Sequence, residues 1–305
     1  MGPSPRRFLW NKRDSDTAVI ASAAPATDRA IIVNADDFGL TAGVNAGIIG
    51  AHRRGLVRAA SLMVTTPGFA DAVTLAQLHP ALDLGLHLAL TGVRPALPAA
   101  TVRSLVTRSG NFPALRRWLA RAATRRLHAE EVRTELRAQI ERGLATGLRF
   151  THLDGHHHVH LFPPVAGIVA SLAREYRLPI VRRVRFAPGD DAPPKHLLLA
   201  SADARWGDVY NGFARANAFR GFAFPTSLED WAALVAGLPP GVTELMCHPG
   251  LNDHSVRTLD PYVAPRAWEL RWLTDERIPA LFAGAGIAIT TFAATLLPGA
   301  ERLPW

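Results

Sequence analysis

The sequence predicts an α/β barrel, closed or nearly closed, built on about seven parallel strands. Three observations lead there. From residue 30 onward, short β-rich runs alternate with helical stretches, and repeated β-then-α order calls for a parallel sheet. Seven such runs occur, enough to close or nearly close a barrel. Acidic and histidine side chains collect where the runs end, and the C-terminal strand ends of such barrels form the active-site face.

The first strand is Ala30–Asn34, which runs into Asp36-Asp37-Phe38-Gly39. Thr41 then N-caps a helix reaching Arg54 and stopping at Gly55. Ala59–Thr65 is the second strand and Phe69–Leu78 the next helix. In the third strand, Asp83–Leu90, leucines 84, 86, 88 and 90 share one face while Gly85, His87 and Ala89 share the other. The two small residues leave room around the His87 ring. Two arginine-rich helices, about 113–126 and 129–145, precede the fourth strand, Phe150–Asp154. Pro163 and Pro164 suit the first turn of a helix ending near Tyr176. Ile180–Phe186 is the fifth strand, and a long irregular stretch, Ala187–Pro225, carries several aromatics. A helix at Ser227–Ala236, a strand at Thr243–His248, a single helix at Pro265–Ala283 and a last strand at Ile287–Phe292 complete the order. Residues 1–29 read as a flexible tail, and 30–305 as one barrel domain.

Composition limits the function. The 305 residues are 48% hydrophobic and 20% charged, which excludes a mostly disordered chain. One cysteine, Cys247, excludes a disulfide framework and a multi-cysteine zinc ribbon. The net charge of +8 is carried almost wholly by arginine and does not by itself call for nucleic acid. No apolar run approaches the roughly 20 residues of a membrane span. A cytoplasmic location is expected from the cysteine usage and the absence of a signal-like segment.

The histidine distribution is the strongest chemical signal. Five of the 12 histidines lie between His152 and His160. Buried histidines cost desolvation and have little reason to cluster unless they bind something. With Asp36 and Asp37, His87, and the Cys247-His248-Pro249-Gly250 strand end, four strand ends bear Asp or His. One carboxylate and two imidazoles would give a divalent ion three ligands and leave open positions for water and substrate. A second carboxylate and a further histidine could then act as base and acid. The residues alone therefore point to metal-assisted hydrolysis. Cys247 reads as a small buried residue, since strand neighbours face opposite sides and cannot pair with His248.

Asn34-Ala35-Asp36-Asp37-Phe38-Gly39, Gly85-Leu86-His87-Leu88, His152-Leu153-Asp154-Gly155-His156 and Cys247-His248-Pro249-Gly250 together resemble the YdjC-like (ChbG/HpnK) carbohydrate deacetylase family over about residues 30–293. The resemblance implies a distorted (β/α) barrel of the glycoside hydrolase/deacetylase type and removal of an acetyl group from an N-acetylated sugar. It implies one divalent ion, Mg or Zn, on Asp37, His87 and His156, with Asp36 as general base and His248 as general acid. His152 and Asp154 would orient ligand rings, and His158, His160 and Arg94 could reach substrate. A soluble chitooligosaccharide-like substrate is favoured over an N-acetylglucosaminyl hopanoid. Membrane contact through the arginine-rich helices is the less favoured reading, and a homodimer stays open. A non-catalytic sugar-binding barrel and a metal phosphoesterase are the competing classes; no nucleic-acid partner is expected.

Overall fold

The structure is a computed structural model that describes residues 28–185, 194–251 and 253–296. Most of the expected tail, and the start of the long irregular stretch, lie outside those residues. Among the described residues, eight strands, all paired in parallel, form one curled sheet: β1 Arg29–Phe38, β2 Ala59–Leu62, β3 Asp83–Leu88, β4 His152–Gly155, β5 Ile180–Val181, β6 Ala218–Arg220, β7 Gly241–Cys247 and β8 Ala288–Thr290. Their order is β5-β4-β3-β2-β1-β7-β6, with β8 paired to the first half of β1. The two ends of this order approach each other. Ile180 bridges to Ala214, and the Phe219 N–H donates to the Arg185 carbonyl at 2.7 Å. With helices around it, the sheet is a distorted (β/α) barrel.

The helices follow the sequence reading closely. Thr41 caps the Ala42–Arg54 helix by accepting from the Val44 N–H, and the chain leaves it at Gly55. The expected helix over 69–78 is present as Phe69–Leu78, and the arginine-rich pair as Leu115–Ala123 and Ala129–Leu144. Ser227 caps Leu228–Ala236. Val44 and Ile48, Val132, Leu136 and Ile140, and Val169 and Leu172 come from three different helices and are completely buried. Each such side chain contributes about 1.5–3 kcal/mol relative to exposure.

Three expectations need correction. Ala187–Pro225 is not irregular throughout: it holds the Pro194–Trp206 helix, a 3₁₀ turn at Gly207–Tyr210 and β6. The helix expected over 265–283 is two helices, Ala264–Leu273 and Arg277–Gly284. Pro279 explains the break, because it has no N–H to return to Asp275 and its ring would strike that carbonyl. Within the first turn of a new helix the same proline is tolerated. Finally, the helix after Pro163-Pro164 begins at Val165, behind a 3₁₀ turn, His156–Leu161, that the histidine run itself forms.

Candidate active site

The site begins with an irregularity in β1. Between Ala35↔Ala60 and Phe38↔Leu62, β1 advances three residues while β2 advances two. The extra residue is a β-bulge. Asp37 takes it up in the left-handed region, at φ 66°. On a regular strand Asp36 and Asp37 would point to opposite faces. The bulge removes that constraint, and both carboxylates enter one buried polar network. His157 and His158, at φ 54° and 56°, lie in the same sparsely used region. Left-handed non-glycine residues gathered in one place mark a functional site more often than a packing accident.

Asp37, His87 and His156 are brought together, and each offers a donor atom within 4.8 Å of the others. Ligands about 2.0–2.2 Å from a common ion reach such separations. Asp37 Oδ1 lies 3.0 Å from His156 Nδ1 and 3.5 Å from His87 Nε2, yet this buried oxygen has no hydrogen-bond partner. A buried carboxylate oxygen that makes no hydrogen bond although two imidazole nitrogens face it fits a divalent cation. Burial alone would raise the Asp37 pKa, but Arg266 and His156 outweigh it and hold the carboxyl well below its usual range.

Asp154 supports this group from beneath. Its Oδ1 lies 2.7 Å from His87 Nδ1, and its Oδ2 accepts from Ser61 Oγ at 2.8 Å. With Nδ1 engaged on a carboxylate, His87 keeps Nε2 as the atom facing Asp37. Burial works against a charge on His87, but Asp154 and Asp36 overcome it, and in the metal-free protein the pKa rises to about 10. A second acidic group, Asp36, His87 and Asp154, also clusters, but its cation is already present. Arg182, 2% exposed, donates from Nη1 and Nη2 to the two Asp36 oxygens at 2.7 Å each. It also lies 2.8 Å from Asp154 Oδ2 and donates to Glu244 Oε1 at 2.6 Å. Asn34 Nδ2 donates to Asp36 Oδ1 at 2.9 Å. Asp36 Oδ1 thus accepts two hydrogen bonds and Oδ2 one, which leaves Oδ2 a lone pair.

The other predicted residues occupy different positions. His152 is buried below the site, where Nε2 lies 3.2 Å from Asn34 Oδ1 and the ring stacks on Phe292. The room that Gly85 was expected to leave for His87 is taken by His152: a Cβ at Gly85 would lie 2.3 Å from that ring. His158 is buried between Phe219 and Phe222, and burial, helped by Arg182, keeps it neutral. His160 Nε2 meets the Arg182 carbonyl at 3.1 Å, and burial lowers its pKa to about 4. Both histidines pack beneath Arg182 rather than facing open space. Arg94 is exposed on the loop after β3. β7 pairs Cys247 with Ala35, so His248 follows at the level of Asp36. The His248 backbone N–H donates to buried Glu269, and its ring packs on Tyr262 at 5.2 Å between centroids. Cys247 is buried, and burial pushes its thiol pKa up.

Two arginines escaped the sequence reading. Arg182 sits in Ile180-Val181-Arg182-Arg183-Val184, and a charged pair inside an apolar strand was the available signal. Arg266 is completely buried and donates to Asp37 Oδ2 at 2.6 Å and to Asp260. It shares its helix with Arg271, and nothing in its sequence neighbourhood sets it apart.

Comparison with known proteins finds relatives over most of the chain. The family described as YdjC-like protein matches residues 30–284. A carbohydrate deacetylase of Brevibacillus brevis is 37% identical over 262 residues, covering 86% of this chain and 98% of that protein. One from Geobacillus stearothermophilus is 38% identical over 266 residues, covering 87% and 97%. A crystal structure from Enterococcus faecalis, of a candidate cellobiose-phosphate cleavage protein, superposes with a TM-score of 0.72 at 30% identity, covering 87% of this chain and 98% of that one.

Proposed function

This chain belongs to the YdjC-like family, and from that premise we propose that it is a metal-dependent carbohydrate deacetylase that removes the acetyl group from an N-acetylated amino sugar and releases acetate. One observation carries the reading: imidazole nitrogens of His87 and His156 converge on a buried, unpartnered carboxylate oxygen of Asp37, with a second carboxylate, Asp36, beside them. A divalent ion held there supplies Lewis-acid polarisation of the amide carbonyl and of water. Two imidazoles and one carboxylate suit a zinc-like ion better than magnesium, which prefers oxygen donors.

The chain's own groups do the proton transfers. Asp36 Oδ2 accepts the proton of the attacking water, and two hydrogen bonds from Arg182 fix that carboxylate in orientation. His248 gives a proton to the departing amine nitrogen, and Glu269 fixes its backbone. Asp154 holds His87 in the tautomer that binds metal, and Arg266 occupies the second oxygen of Asp37. Glycosidic cleavage is not favoured. It relies on two carboxylates flanking the scissile bond, whereas here one is committed to the ligand group and the other to Arg182.

The test is a mass measurement on diacetylchitobiose and on an N-acetylglucosaminyl lipid, with added metal and with chelator. Loss of a single acetyl group from either, suppressed by chelator, is the expected result and selects the soluble or the lipid-linked substrate. Shortened sugars without deacetylation, or phosphate release from a sugar phosphate with no acetate from any amide, would refute the reading.

A further inference from the structure

A second surface has its own chemistry. From Leu84 to Ala129 the chain carries eight arginines and no aspartate or glutamate. Folding gathers five of these arginines in hollows beside the Leu115–Ala123 helix. Arg103, Arg117 and Arg121 line two adjoining hollows of about 440 and 430 Å³, with Arg126 added in the first and Arg108 in the second. Arg121 is held by the carbonyls of Ser104 and Val106, each at 3.0 Å, so part of the array is preset. Glu131 is occupied by the Ser104 N–H and by His128. The buried ring of Trp118 fixes the helix to the body of the protein.

The next side of the same helix is apolar. Leu119, Ala122 and Ala123 face Leu127, Phe162 and Leu198 across a groove of about 690 Å³, with Arg125 at its rim. Leu197 and Leu198 stand 54% and 51% exposed beside it. Guanidinium groups without acidic partners repel one another and favour an anion, for which arginine offers bidentate binding to phosphate. Exposed apolar groups around a groove favour a cover that excludes water. A nucleic acid would satisfy the arginines and leave the groove open. An amphiphile with phosphate outside and hydrocarbon inside satisfies both.

We propose that this face docks peripherally on a membrane rich in anionic phospholipid. Headgroup phosphates bind along Arg103, Arg116, Arg117, Arg125 and Arg126, and Leu197, Leu198 and the groove over Phe162 take the apolar contact. The inference does not depend on which sugar is deacetylated.

Sedimentation of the full chain with vesicles tests it. Binding is expected to phosphatidylcholine mixed with phosphatidylglycerol, and not to phosphatidylcholine alone. Each arginine at an anionic surface strengthens binding about fivefold, so Arg116→Gln, Arg117→Gln and Arg125→Gln together should weaken it about a hundredfold. Leu198→Asp should weaken the binding that survives in high salt. Equal binding to both vesicles, or to neither, would overturn the proposal. So would a triple variant that binds like the native chain. Comparably tight binding to a DNA oligonucleotide, with Leu198→Asp unaffected on vesicles, would assign the face to a polyanion instead. Should any variant misfold by circular dichroism, a salt titration of the native chain decides: vesicle binding must fall steeply with salt yet retain a salt-resistant remainder.

Discussion

Asp36 and Asp37 are neighbours in the chain and opposites in surroundings. Asp36 is enclosed by Arg182 and Asn34, and Asp37 by Arg266 and two imidazoles. Their substitutions should therefore separate. Asp36→Asn should keep bound metal and lose about 10²–10⁴-fold in turnover, because a base is removed. Asp37→Ala should lose metal and activity together. Elemental analysis beside acetate release reads the difference, and the reverse pattern would exchange the two roles. Arg182 is the residue on which the site's charge balance turns, since Asp36, Asp154 and Glu244 share it. Burial raises the Glu244 pKa to about 7 even with Arg182 pulling it down. Arg182→Gln leaves buried carboxylates uncompensated and should cost about 3–5 kcal/mol in denaturant unfolding. A loss below 1 kcal/mol would mean that water or a bound cation replaces the guanidinium.

Elements bring these residues together through close backbone approaches. The Ala42–Arg54 helix packs on the loop that follows His248, and a Cβ at Gly47 would lie 2.4 Å from the Gly250 Cα. Backbone cannot rotate away as a side chain can. Gly47→Ala should therefore shift the His248-Pro249-Gly250 loop, cost about 1–3 kcal/mol as overpacking, and lower turnover while metal content stays unchanged. Unaltered turnover in that variant would show that the His248 position is not set by this contact. The same scale explains what was legible in the sequence. Runs such as Ala30–Asn34 and Asp83–Leu90 announce themselves by apolar pattern, and Thr41 by capping chemistry. β6 has three residues, too few for a period of two to be visible. Asp36, Asp37, His87 and His156 stand at strand ends, where barrel topology gives polar residues a meaning. Arg182 and Arg266 arrive from β5's end and from a distant helix, by tertiary contacts that no local pattern encodes.

At the scale of the whole molecule, the buried histidines set how stability follows pH. In the fold His160 has a pKa of about 4, and His158 lies well below its ordinary value of 6.5, so both are neutral when folded and protonate when the chain unfolds in mild acid. Between 6.5 and 4 the unfolded chain binds more protons, and stability falls as pH falls, by about 1.4 kcal/mol per pH unit for each such histidine. Burial also depresses His152 and His157, which adds to the trend. Glu244 opposes it by one proton, because its raised pKa favours the folded state as pH drops through 7. The histidines outnumber it, so the acid limb should slope downward. His87 acts on the other side. Its metal-free pKa of about 10 means its contribution is complete below 6.5 and is lost as pH rises toward 10. Bound metal needs His87 Nε2 without a proton, so a loaded site replaces that proton and removes the alkaline limb. Denaturant midpoints across pH should therefore form a peak in chelator. With added zinc only the acid limb should remain. A chelated protein whose stability is level from 6.5 down to 5 would contradict the neutral burial of His158 and His160, and an alkaline limb that persists with zinc would take His87 out of the ligand group.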